Sequence, residues 1–154
     1  MAIQKILMPY NFTAYEEKGL DFIVNNFAHR KDVRITLFNT YAPLPKIDTA
    51  ADPVLHRMRN SLTYLSEDLK QKEAGLKAIM KYLSENGFSE DQVDYIFKER
   101  KKSTVEEIIH TATRGHYRVL VLSRQPGKAT RLFARSLHSK VLHALKNITV
   151  CIAT

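Results

Sequence analysis

Apolar residues recur along the chain in two alternating rhythms, short continuous runs and steps of three or four, and the alternation predicts the fold class. Ile3, Ile6, Leu7 and Met8 form a nearly unbroken apolar run that stops at Pro9-Tyr10-Asn11-Phe12. That is the pattern of a strand covered on both faces, as in parallel sheets. Leu20, Ile23, Val24 and Phe27 then recur at helical spacing, and Thr13 followed three residues later by Glu16 is a capping-box pattern, so a helix over about 14–28 is predicted. Val33, Ile35, Leu37 and Phe38 predict a second strand, Val93, Tyr95, Ile96 and Phe97 a third, residues 119–122 a fourth and 148–153 a fifth.

The longest helical region lies between Asp52-Pro53, an N-cap acid with proline at the first helical position, and Asn86-Gly87, a helix stop. Leu55, Met58, Leu62, Leu65 and Leu69, then Leu76, Ile79 and Leu83, step as in a coiled-coil seam. Lys72 and Glu73 interrupt that seam and Gly75 weakens the helix, which favours an amphipathic helix packed on a sheet. Ser103 and Glu106 make a second capping box ahead of Val105, Ile108, Ile109 and Ala112, closed by Arg114-Gly115. Leu132, Phe133, Leu137, Val141, Leu142 and Leu145 mark a last helix. Strand and helix alternate throughout, so one α/β domain over 1–154 is expected, with a five-stranded parallel sheet and helices on both faces. Ile6, Leu37, Ile96, Leu120, Val121 and Val150 are its expected core.

Composition narrows the class. With 154 residues, 44% of them hydrophobic, the chain can bury one core without disulfides or metals. Its single cysteine, Cys151, sits in an apolar run and reads as a core thiol, so neither an internal disulfide nor an oxidising compartment is indicated. The first apolar run, broken by Pro9, is too short for a signal-peptide core or a membrane span, and no later run is long enough. A cytoplasmic location without membrane contact is the expectation. His138 and His143 stand five apart, off any shared helical face, so no metal site is expected.

Charge changes the picture more. Through Glu107 sixteen Lys and Arg balance sixteen Asp and Glu; beyond it there is no acid, and Arg114, Arg118, Arg124, Lys128, Arg131, Arg135, Lys140 and Lys146 supply the formal +8. Within that segment the fourth strand ends at the loop Ser123-Arg124-Gln125-Pro126-Gly127-Lys128 before a helix. A strand, a loop and a helix N-terminus in that order present unpaired N–H groups, and with the cations they suit an anion. An enzyme is not indicated. No Gly-rich signature is present, a phosphoacceptor aspartate is missing where Phe97-Lys98-Glu99 stands, and the adjacent Glu106 and Glu107 point different ways, as a cap and a surface charge. Lys98-Glu-Arg-Lys-Lys102 reads as a solvated strand end and loop.

Over essentially its full length the sequence resembles the universal stress protein family. Lys5-Ile-Leu-Met-Pro-Tyr-Asn-Phe-Thr13, Ile35-Thr-Leu-Phe-Asn-Thr40, residues 105–123, Ser136-Leu-His-Ser-Lys-Val-Leu-His143 and Asn147-Ile-Thr-Val-Cys-Ile152 carry the likeness. It implies a Rossmann-like open sheet in the order 3-2-1-4-5, commonly a homodimer through the last strand. It also implies an ATP or AMP pocket between Pro9-Asn11, Thr40, the loop Ser123, Arg124, Gly127 and Lys128, and the last helix at Arg135-Ser136. The family's ATP binders carry three glycines around that loop. Here Ser123 replaces the first, Gln125-Pro126 the second region and Arg135 the last, the loop is one residue shorter, and Asn11 stands for an aspartate. Three readings follow. The first is a regulatory protein with a degenerate nucleotide site and weak or no ATP binding. The second is an ATP or AMP binder using arginines, and the third, ranked lowest because no aromatics are interleaved, a nucleic-acid binder.

Overall fold

A computed structural model describes residues 2–44, 53–124 and 143–154. Strands β1 (Gln4–Pro9), β2 (Val33–Tyr41), β3 (Val93–Glu99), β4 (Val119–Ser123) and β5 (Thr149–Ala153) form one parallel sheet in the order β3-β2-β1-β4-β5. Helices α1 (Glu16–Phe27), α2 (Pro53–Glu85) and α3 (Thr104–Arg114) connect them. The last helix expected from the sequence lies outside the described residues except for His143 and Ala144, which are helical.

Strand alternation divides the core into two layers. Ile6, Met8, Ile35, Leu37, Val119 and Val121 face α1 (Leu20, Ile23, Phe27) and the second half of α2 (Leu76, Leu83). Leu7, Phe38, Leu120 and Leu122 face α3 (Ile108, Ala112) and Ile148. Four of the six expected core residues are fully buried; Ile96 and Val150 are only half-buried, because β3 and β5 are the outer strands and each is covered on one side.

Chain ends of the helices follow the sequence unevenly. The Ser103–Glu106 box forms, with the Ser103 hydroxyl accepting from the Glu106 N–H and the Glu106 carboxylate from the Ser103 N–H. Gly87, at φ 102°, ends the long helical region in the left-handed conformation that glycine adopts without strain. The Thr13–Glu16 box does not form. The N-cap of α1 is Tyr15 and has no side-chain cap, and Glu16 turns inward instead.

The long helix is continuous over 33 residues, so Lys72, Glu73 and Gly75 do not break it. Gly75 has a packing reason: a Cβ there would stand 2.7 Å from Cε1 of Phe12. The Phe12 backbone is left-handed, at φ 59°, a conformation that costs a non-glycine residue about 1–3 kcal/mol and persists only when its surroundings hold it. The ring is held in the Gly75 notch and edge-on to Tyr10, centroids 5.0 Å apart. The loop after β1 is thereby docked on α2.

Candidate functional site at the strand ends

The chain leaves β1 for β2 and β3, then crosses back to β4 and β5, so the topological switch point lies between β1 and β4. Crevices outside the C-terminal strand ends at such a point are where open α/β sheets hold ligands. Here the two strands pair only through Ile6–Val119 and Leu7–Leu120, although β1 continues to Pro9 and β4 to Ser123. Proline explains the gap. The Tyr10 N–H reaches Phe38 O on β2 at 2.8 Å, so the N–H of residue 9 would face β4, and proline has none.

The gap is floored by α1. By strand alternation Ser123 follows Val119 and Val121 onto the α1 face, and a Cβ on Gly19 would stand only 2.5 Å from its hydroxyl. Glu16 opens the helix on the same side and is 2% exposed. Its Oε1 accepts from the Asn11 N–H at 3.2 Å. Among the described residues its Oε2 has no hydrogen-bond partner, and neither have the buried Ser123 Oγ and Thr13 Oγ1. The two hydroxyls lie near enough to favour the carboxylate charge without making a well-formed hydrogen bond to it. Burial outweighs them and the Asn11 N–H, and holds the Glu16 carboxyl above its ordinary pKa. Tyr10 shares the site: burial first, then the charges of Glu16 and Glu17, raise its phenol. Its carbonyl accepts from Asn39 Nδ2 at 2.6 Å, tying β2 to the loop.

Of the residues singled out in the sequence, Pro9, Asn11 and Ser123 meet here. Arg124 follows at the end of β4, its N–H bonded to Ala153 O at 2.8 Å, and its side chain makes no ion pair among the described residues. Thr40 is half-buried and continues the Phe38 side of β2, towards α3, so it does not join Ser123 and Glu16. Gly127, Lys128, Arg135 and Ser136 lie outside the described residues. Glu16 and Gly19 were not anticipated as site residues.

A second correction concerns Glu107, which is 5% exposed and not a surface charge. Its Oε1 accepts from the N–H groups of Lys101 and Lys102 at 2.9 and 3.1 Å, and Oε2 pairs with Lys98 Nζ at 3.1 Å. The lysine-rich run is therefore wrapped around an acid rather than merely solvated. A cleft of about 420 Å³ lies at the opposite, N-terminal ends of β4 and β5, with Arg118 and Lys146 in its wall. Among the described residues no cluster of three His, Cys, Asp or Glu side chains could hold a metal ion, and no helix is long and apolar enough to cross a membrane.

No family model matches the chain, and no curated protein matches it. Solved structures do. A hypothetical protein solved as a test case of structural genomics is 18% identical, covers 99% of this chain and 96% of its own, and superposes with a TM-score of 0.68. The universal stress protein from Archaeoglobus fulgidus in complex with dAMP is 14% identical over 100% of both chains, TM-score 0.64. A universal stress protein family protein from Arabidopsis thaliana with AMP bound is 15% identical, covers 98% of this chain and 92% of its own, and has a TM-score of 0.56. From the first strand to the last, the chain has the universal stress protein fold.

Proposed function

We propose that the chain is a cytoplasmic regulatory protein of the universal stress type whose strand-end site binds ATP weakly or not at all. One observation carries this reading: the buried Glu16 carboxyl, with Oε2 unpartnered among the described residues, lies beside Asn11 and Ser123 at the switch point. A triphosphate entering there meets a carboxyl group where open α/β sheets offer free N–H donors. The Ser123 hydroxyl fills the remaining room against Gly19. Adenine nucleotides are the ligand class to test, since structures of the same fold hold dAMP and AMP.

A second reading is favoured by Arg124, which has no ion pair among the described residues: an ATP or AMP binder that grips phosphate with Arg124 and Arg135. Titration with a fluorescent ATP analogue over a salt series separates the two, and Arg135→Gly sharpens the result. Binding strengthens in the variant if Arg135 blocks the phosphate, and weakens by about 1.5–3 kcal/mol if it grips. Nucleic-acid binding instead shows a steep salt dependence with polynucleotide and none of this selectivity.

We also propose a homodimer through β5, whose outer edge is unpaired among the described residues and carries Ile152 at 40% exposure. An open edge of that kind is a liability unless covered. Sedimentation at about 50 µM, where a complex of about −6 kcal/mol is half-formed, is expected to show a dimer. A monomer there contradicts it.

A further inference from the structure

We infer that anion binding at the strand-end site is coupled to the proton on Glu16: the site admits a phosphodiester while that carboxyl is neutral and excludes it once the carboxyl is ionised. The inference rests on the reading of the site as a degraded nucleotide pocket and adds its control.

The geometry is a cluster of orphaned polar atoms in one place. Glu16 Oε2, Ser123 Oγ and Thr13 Oγ1 are buried and near one another, and none makes a well-formed hydrogen bond among the described residues. They sit between the diverging ends of β1 and β4, below the loop that contains Asn11. An ionised carboxyl and a phosphate oxygen are both acceptors and both negative, so they repel one another and compete for the same Ser123 and Thr13 hydroxyl donors. A neutral carboxyl supplies a donor on Oε2 that can serve either a hydroxyl of the cluster or an entering phosphate oxygen.

The surroundings do not neutralise the acid. Glu16 forms no ion pair among the described residues. On its own helix Glu17 is exposed and carries the same sign. Just beyond β1, Tyr10 feels both glutamates. Arg124 follows Ser123 on β4, and Cys151 on β5 is a thiol that burial keeps protonated. Burial favours the neutral form of Glu16 too, which places its titration above the ordinary carboxylate range. A bound anion pushes the carboxyl further towards neutrality, so binding takes up a proton.

The test is calorimetric titration of the full chain with cyclic AMP from pH 5 to 8, in paired buffers of different ionisation enthalpy. A phosphodiester keeps one negative charge throughout that window, so the ligand does not titrate; adenosine is the uncharged control. Above the point where Glu16 ionises, cyclic AMP affinity should fall towards about tenfold per pH unit, the limit for one linked proton. Uptake should approach one proton per ligand, and adenosine should be indifferent to pH. Glu16→Gln keeps the shape and a donor, and should bind cyclic AMP equally well across the range. Proton uptake in the unmodified chain tests the coupling even if that variant fails to fold. Weak cyclic AMP binding indifferent to pH overturns the coupling and leaves the degraded-site reading standing. A pH dependence that survives in Glu16→Gln, or no binding by either protein at any pH, also overturns it. Tight magnesium-dependent ATP binding together with pH-dependent cyclic AMP binding overturns the degraded-site reading and supports the coupling.

Discussion

Glu107→Ala is expected to lower the unfolding free energy by about 1–3 kcal/mol, the scale for removing a buried carboxylate that accepts from part-buried donors. The readout is a lower urea midpoint at unchanged slope. The variant orphans the Lys101 and Lys102 N–H groups and strands the Lys98 ammonium, all of which end on this one carboxylate. The Lys101 N–H above all, with Lys98 and the Lys102 N–H, holds the carboxyl down to about 2 against the opposing effect of burial, from an ordinary 4.5. Because the folded value is the lower one, this stabilisation is complete above the unfolded pKa and is lost as pH falls from about 4.5 towards 2. The full shift corresponds to about 3 kcal/mol. Only a surface loop covers the group, so water screens part of the interaction and about 2 kcal/mol is the expected pH-dependent part. Glu107→Ala melts that stay level with the unmodified protein at pH 7 contradict the assignment.

The second buried glutamate should act with the opposite sign. Glu16→Gln is expected to stabilise the chain at pH 8 by about 1–2 kcal/mol, because a neutral amide avoids the cost of burying the carboxylate charge that the nearby hydroxyls only partly offset. Burial raises the folded pKa of Glu16 above its unfolded value. The folded state therefore binds the extra proton, and stability declines as pH rises from the unfolded pKa through the folded one. The advantage of glutamine should be present at pH 8 and gone at pH 4, read as the difference in thermal midpoint between the two proteins at each pH. Glu107 titrates alike in both and cancels. An equal destabilisation at both pH values contradicts the orphaned-carboxyl geometry.

Much of the fold was legible because burial on both faces leaves an unambiguous mark: Ile6-Leu7-Met8 and Val119-Leu120-Val121-Leu122 have no polar side to turn to water. The misreadings are informative in the same terms. Ile96 and Val150 are as apolar as the central strands, and composition does not reveal which strands stand at the edge. Gly75 weakens the helix by propensity alone, but its lack of a Cβ makes room for Phe12, a contact between segments far apart in the chain that no local pattern reveals.

The site was half legible. Pro9, Asn11 and Ser123, expected to lie together, stand at the switch point, whereas Glu16 reads in the sequence as half of a capping box with Thr13. A signal was present: Glu16, Leu20, Ile23 and Phe27 step by four, three and four, so the glutamate extends the apolar stripe of α1 into the sheet. Ser123 likewise extends the inward register of Val119 and Val121. Neither pattern shows that the two meet, since that depends on how closely α1 approaches β4 at Gly19. Glu107 lies beside Ile108, and Thr111 beside Ala112, on the buried side of α3, but the lysine-rich run that seals it reads locally as solvent-facing.

The most direct test of the claim that Glu16 and Ser123 close the strand-end site to phosphates is calorimetric titration with magnesium-ATP of the unmodified chain and of the double variant Glu16→Ala/Ser123→Gly, side by side at pH 7.5. The account predicts a dissociation constant weaker than about 1 µM for the unmodified chain and at least about tenfold tighter binding, 1.4 kcal/mol, for the double variant. ATP binding tighter than that limit in the unmodified chain, left unchanged or weakened by removing both side chains, would contradict it.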